Sequence, residues 1–95
     1  MKTIKLFKLV NGEEVIGYVE EDNTFKKVIS KPRVVMEIFT DRGPALTFRP
    51  FMRGAKDVPV VHLPAGHIIH VAEPTKTVED AYIKDTSVVQ IAKEV

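Results

Sequence analysis

Apolar and polar residues alternate along most of the chain in the pattern of short β-strands. Residues 3–10 carry apolar side chains on both parities, which predicts a strand buried on both sides or passing from one face of a barrel to the other. Asn11 and Gly12 follow, and because both tolerate positive φ they predict a two-residue hairpin turn into a strand over 15–21. Gly17 interrupts that strand, which predicts a sharp bend or a close backbone approach of the kind that lets a small sheet curl.

The same alternation predicts four further strands, at residues 26–40, 45–52, 60–63 and 68–71. Pro32 interrupts the first of them, which predicts a bend or an edge at that point. Turn residues separate the strands at 22–24 and 41–44, and 53–59 reads as a loop because it carries Gly, Pro and mixed charges without periodicity.

The C-terminal segment changes to helical periodicity after Pro74. Thr77 is predicted as the N-cap, with Asp80 at the third helical position as in a capping box. The helix is expected over about residues 78–93, with a break near 85–87 left open. Its apolar face, expected to cap an open end of a barrel rather than to bind a separate partner, consists of Val78, Ala81, Tyr82, Val88, Val89 and Ala92.

Composition places the chain among small soluble proteins. Ninety-five residues, 44% of them hydrophobic, predict one domain over 1–95, with the β-rich part at about 3–73 and one modest core. The absence of cysteine excludes disulfides, thiolate metal sites and cysteine nucleophiles. With no apolar run long enough for a signal peptide or a membrane span, we expect a cytoplasmic protein and no membrane partner.

Two segments carry features that belong together in one family. Residues 9–29 contain an apolar strand, a turn closing on Gly12, a bent strand with Gly17, and Asp22 before a third strand. Residues 63–71 contain a turn closing on Gly66 followed by a short apolar strand. These segments resemble the first and second Sm motifs of the Sm-like (Lsm) family, although an unrelated small barrel or sandwich has a similar rhythm.

The resemblance implies a mainly β fold: a small, strongly bent, five- to six-stranded antiparallel Sm-like (SH3-like) barrel. The C-terminal helix and an insertion at about 41–59 depart from a minimal Sm domain. The resemblance further implies a homo-oligomeric ring joined by edge-strand pairing, which binds single-stranded RNA and is not an enzyme. The residues that it places at the RNA are Asp22, Thr24, Phe25, Lys26, Gly66 and His67.

Several of these positions differ from the family pattern. Thr24 occupies the stacking position, Lys26 stands where Asn is usual, and Ala65 replaces the usual basic residue. Phe25 would serve as a stacking platform if the turn were shifted by one residue, but a core position is the favoured interpretation for Phe25 and a solvated strand position for Lys26. The alternative function is therefore a protein-interaction or assembly ring of the same fold that has lost the RNA pocket.

Charge and candidate chemistry add little to either hypothesis. Fourteen basic and thirteen acidic residues give a net charge of +1, which neither supports nor excludes RNA. His62 and His70 share a strand parity that His67 does not, so we expect no metal site. The glycines form no phosphate-binding loop and no acid–base set is visible, so we expect no catalytic residues and no cofactor; a small-molecule or enzymatic barrel is a third, weaker hypothesis.

Overall fold

The chain forms six antiparallel strands in one open sheet, followed by a C-terminal helix. The computed structural model describes residues 2–56 and 58–94, with side chains described up to Ser87. The elements are β1 (Ile4–Leu9), β2 (Glu14–Asp22), β3 (Lys26–Thr40), β4 (Gly43–Pro50), β5 (Val60–Pro64), a 3-10 turn (Ala65–His67), β6 (Ile68–Ala72) and α1 (Lys76–Glu94). The mainly β class, the six strands and the helix agree with the sequence prediction.

The long strand β3 organises the sheet because it pairs with three other strands. The sheet order is β4-β3-β2-β1-β6, and β5 also pairs with β3. The first half of β3 lies beside β5, from Lys26 opposite Pro64 to Ser30 opposite Val60, whereas the second half pairs with β4. Strands β4 and β5 therefore lie end to end along one side of β3.

The change of partner occurs at the predicted interruption. Lys31 has a φ of +50°, and its backbone N–H donates to the Pro59 carbonyl oxygen at 3.0 Å. Pro32, which has no N–H to offer a ladder, is fully buried beside it. The bend predicted at Pro32 is confirmed. The stretch 41–59, expected to be an insertion, contains a turn at 41–42, β4, and loop residues at 51–56 and 58–59. Strand β4 begins and ends two residues earlier than predicted.

The β1–β2 hairpin lies where the sequence predicts it, but its loop differs. Leu9 N–H donates to the Glu13 carbonyl oxygen and Gly12 N–H to the Leu9 carbonyl oxygen, both at 2.9 Å, so the loop comprises three residues, 10–12. Gly12 has a φ of +92°, and Asn11 is not in the positive-φ region. The two-residue turn was therefore wrong: a three-residue loop needs a single left-handed residue, which Gly12 supplies.

Gly17 marks a close approach of two strands. A Cβ atom there would lie 3.0 Å from Ile29 Cδ1 and 3.1 Å from the Ser30 carbonyl oxygen. The β2–β3 register shifts at this point, between Ile16 and Tyr18. The predicted close approach is confirmed, and the irregular register allows the sheet to curve.

Apolar side chains form two layers, one on each face of the sheet. The inner layer consists of Phe7, Leu9, Val15, Ile29, Val34 and Leu63. The outer layer, which lies under the helix, consists of Ile4, Ile16 and Tyr82, with Leu6, Tyr18, Val35, Phe48 and Val78 packed against it. Strand β1 contributes to both layers, which explains its apolar residues on both parities.

The helix begins earlier than the sequence predicts. Thr75, not Thr77, caps it: the Thr75 Oγ1 accepts from Val78 N–H at 3.3 Å. Asp80 takes no part in a capping box and instead forms an ion pair with Lys76 at 3.1 Å, one turn away on the exposed surface. Two threonines two residues apart offer the same cap, and only the packing of the helix distinguishes them.

Tyr82 and its neighbours hold the helix on the outer layer. Arg33 Nε donates to Asp85 Oδ2 at 3.2 Å, so β3 and α1 are also joined by an ion pair. The helix is unbroken at 85–87. The buried Thr86 hydroxyl is satisfied within it, because it donates to the Tyr82 and Ile83 carbonyl oxygens, both at 3.1 Å.

The apolar face of α1 packs on the outer layer of the sheet through Val78 and Tyr82, whereas Ala81 is exposed. The side chains of Val88, Val89 and Ala92 lie outside the described residues. Within residues 2–56 and 58–94, no helix combines the length and the apolar character that crossing a bilayer requires.

Candidate nucleic-acid interface

The turn between β2 and β3 is built around Asn23. Its side-chain Oδ1 accepts from the backbone N–H groups of Phe25 and Lys26, at 2.8 and 3.0 Å. Its own N–H donates to the Lys26 carbonyl oxygen at 3.1 Å, and its Nδ2 donates to Glu21 Oε2 at 2.8 Å. Asparagine suits this position because its short amide replaces backbone partners in a tight turn. Asn23 therefore sets the shape of the turn, a role that the sequence analysis did not assign to it.

The turn rests directly against the second motif-like segment. Ala65 N–H, at the start of the 3-10 turn, donates to the Phe25 carbonyl oxygen at 2.8 Å. The 3-10 turn is also fixed to the first hairpin, because Val10 N–H donates to the His67 carbonyl oxygen at 3.0 Å. The two segments that resemble the Sm motifs thus meet through Ala65, whereas His67 contacts the β1–β2 hairpin. Gly66 lies between them in the 3-10 turn.

Phe25 lies at the surface, with 82% of its area exposed. The interpretation of Phe25 as a core residue is therefore wrong. The turn bonds made by Asn23 end the strand pattern at this point, and the buried positions of β3 begin only at Val28 and Ile29. An aromatic ring that reaches solvent offers a flat apolar face on which another ring can stack.

Lys26 is directed toward a histidine of the neighbouring strand. Its Nζ lies 3.3 Å from His62 Nδ1. An ammonium group has only donors, so this contact requires His62 Nδ1 to be the acceptor. Lys26 is half-buried and contacts His62, so it is not the freely solvated strand lysine that the sequence predicted. The contact between Lys26 and His62 was not predicted, because the sequence does not reveal that β5 lies beside the start of β3.

The base of the turn is closed by an ion pair between Asp22 and Lys27. These residues face each other in the β2–β3 register, and Lys27 Nζ also lies 3.5 Å from the Asn23 carbonyl oxygen. Thr24, which precedes Phe25 in the turn, is exposed. The neighbouring ammonium offsets the Asp22 charge, which otherwise would oppose a phosphate at this end of the sheet.

The histidines form no metal centre in the part of the chain that the structure describes. His62 contacts Lys26, His67 ends the 3-10 turn, and His70 lies opposite Lys8 in the β1–β6 pair. No group of three or more His, Cys, Asp or Glu side chains within residues 2–56 and 58–94 is placed to hold a metal ion.

Exposed apolar residues follow the outer edges of the sheet. Strand β6 pairs with β1 on one side, and β5 pairs with β3 on one side, so in the described sheet each has an outer edge without a partner strand. Ile69 on β6 is 62% exposed, and Val71 and Val60 are exposed as well. Edges of this kind favour pairing with another strand.

Neither a scan against models of protein families nor a search of curated proteins gives a match to this chain. The relation to Sm-like proteins therefore stays a proposal, supported by the two motif-like segments and by the contact between them.

Proposed function

We propose that this protein is an Sm-like, non-catalytic RNA-binding protein that acts as a homo-oligomeric ring. The observation that carries the proposal is the exposed Phe25 ring at the end of a turn held by Asn23, with Lys26 next to it. Stacking of a base on an aromatic ring contributes about 1–3 kcal/mol, and a lysine adds a phosphate contact. Phe25 then replaces Thr24 as the stacking residue.

The proposed ring uses the two free sides of the sheet. The outer edge of β5 would pair with the outer edge of β6 in the next copy, a head-to-tail contact that closes into a ring. This pairing would bury Val60 and Ile69, which the isolated chain leaves exposed. Repetition of Phe25 and Lys26 around the ring would raise the affinity for a single strand through multivalency, despite the small net charge of each chain.

Fluorescence anisotropy with a labelled oligouridylate tests the RNA contact. Phe25→Ala should weaken binding about 5- to 150-fold, the equivalent of one lost stacking contact. Phe39→Ala is the matched control, because Phe39 is 81% exposed and lies at the end of β3 that is remote from the turn carrying Phe25. Lys26→Ala should lower the slope of log affinity against log salt by about one. Equal affinities of the Phe25 and Phe39 variants, or no binding by the natural chain, would refute the RNA contact.

A second candidate is an assembly ring of the same fold that does not bind RNA. The hairpin of β3 and β4 favours it, because Phe39 and Leu46 on one face and Ile38 on the other are exposed beyond the two apolar layers. Native mass spectrometry of protein purified without nuclease separates the two. A ring that carries oligonucleotide would support RNA binding. An empty ring that also shows no binding in the anisotropy assay would support the assembly function. A monomer would refute the ring.

A further inference from the structure

A cleft with a volume of about 430 Å³ opens next to the β2–β3 turn, at the end of the inner layer. Phe7 of the inner layer and the side chains of Val19 and Val71 line its apolar part. Three lysines, Lys2, Lys5 and Lys27, line the remainder together with Glu20 and Asp22. Its volume falls within the range of small-ligand sites.

The charges in this cleft are not fully compensated. Glu20 lies 2.8 Å from Lys2 Nζ, and Asp22 forms its ion pair with Lys27. The hydrogen bonds from Lys2 and then from Ser30 hold the pKa of Glu20 below its ordinary value, so Glu20 remains an anion paired with Lys2. Within the described residues, Lys5 has no acidic partner. Three ammonium groups against two carboxylates therefore leave one positive charge available to an anion.

The cleft adjoins the base of the turn that carries Phe25. Asp22 and Lys27 close the turn that carries Phe25, and the same two residues form one wall of the cleft. Lys27 follows Phe25 by two residues, about 7 Å of extended backbone. A single strand stacked on Phe25 therefore needs to extend only a short distance before its phosphates reach the cleft.

We infer that this cleft is a second RNA subsite, in which Lys5 binds the backbone phosphate of a nucleotide adjacent to the one stacked on Phe25. The inference rests on the proposed function, and it assigns the phosphodiester of a single strand as the ligand. The apolar residues Val19 and Val71 provide the wall against which the sugar or base of that nucleotide packs.

The test compares Lys5→Gln with Lys8→Gln in anisotropy titrations of a uridine trinucleotide and a uridine octanucleotide. Lys8 is the matched control, because it lies on the same strand with exposed side chain and does not line the cleft. Lys5→Gln should weaken octanucleotide binding about three- to tenfold and lower its salt slope by about one. Lys8→Gln should change neither quantity. Trinucleotide binding should also be weakened by Lys5→Gln, because a trinucleotide already contains the phosphate next to the stacked nucleotide. Lys5→Arg, which keeps the charge, should restore octanucleotide binding.

The outcomes separate this inference from the proposed function. If Phe25→Ala weakens both oligonucleotides but Lys5→Gln weakens neither, the second subsite is overturned and the stacking site stands. If the natural chain binds neither oligonucleotide, both are overturned. Inorganic phosphate and uridine monophosphate are titrated separately by calorimetry. Saturable binding of either that is lost in Lys5→Gln, with octanucleotide affinity unchanged, would identify a site for a free anion and overturn the RNA subsite.

Discussion

Removal of the Tyr82 hydroxyl should destabilise the fold although the substitution is nearly isosteric. The Tyr82 ring is fully buried, with its centroid 5.5 Å from that of Tyr18 and 6.0 Å from that of Phe48. Its hydroxyl donates to the Lys31 carbonyl oxygen at 2.6 Å, and the Ser30 carbonyl oxygen lies 3.4 Å away. The hydroxyl therefore supports the backbone of β3 at the point where this strand changes partner.

The expected magnitude follows from these contacts. Tyr82→Phe keeps the aromatic packing, loses one hydrogen bond and leaves a carbonyl group with one donor fewer, which together cost about 1–2 kcal/mol. Tyr82→Ala also removes the ring and should cost about 3–5 kcal/mol. Tyr18→Phe is the matched control, because within the described residues the Tyr18 hydroxyl makes no hydrogen bond, and it should cost less than about 0.5 kcal/mol.

Urea denaturation followed by far-ultraviolet circular dichroism measures these differences, since the chain contains no tryptophan. In thermal unfolding, Tyr82→Phe should lower Tm by about 5–15 °C. If Tyr82→Phe and Tyr18→Phe had the same free energy of unfolding, the proposed support of β3 by the Tyr82 hydroxyl would be refuted.

Alkaline pH offers an independent check on the same side chain. Burial, and to a smaller extent the neighbouring Tyr18, raises the pKa of Tyr82 above the ordinary value of 10.0. The unfolded chain ionises at the lower pKa, so the stabilisation from Tyr82 is complete below pH 10 and is lost as the pH rises beyond it. Tyr82→Phe should therefore show a shallower loss of stability above this pH. An equal alkaline slope in the two proteins would contradict the assignment.

Two further predictions concern the sheet and its acid stability. Gly17→Ala should lower the free energy of unfolding in urea by about 1–3 kcal/mol, because the new methyl group would lie 3.0 Å from Ile29 Cδ1. Gly54→Ala is the control, because a methyl group there meets nothing within 4 Å. Equal effects of the two substitutions would argue against the close approach at Gly17. Because the pKa of Glu20 is lowered, its ion pair with Lys2 stabilises the fold at pH values above 4.5, the ordinary pKa of this side chain. This stabilisation is lost as the pH falls further. The free energy of unfolding of Glu20→Gln should consequently decline less steeply at acid pH than that of the natural chain. An equal decline in the two proteins would show that the ion pair does not contribute to acid stability.

Local features of the sequence predicted most of the secondary structure. Alternation identified all six strands, and Pro32 and Gly17 marked the bend and the close approach, because each restricts the backbone or the side-chain space by its own chemistry. Errors arose where two neighbouring residues offer the same local solution. Thr75 and Thr77 are equivalent caps, and only the burial of Tyr82 against the sheet sets the phase of the helix.

The strands, the positions of the turns and the presence of the helix were determined by the sequence alone, because periodicity and turn chemistry act over a few residues. The form of the loop at 10–12 and the first residue of the helix were not. The candidate site was decided by tertiary structure. The contact of Lys26 with His62 joins residues 36 positions apart, and the bond between Ala65 and Phe25 likewise depends on β5 lying along the first half of β3. That pairing depends on the burial of the inner layer and on the backbone at Lys31, which no local pattern specifies.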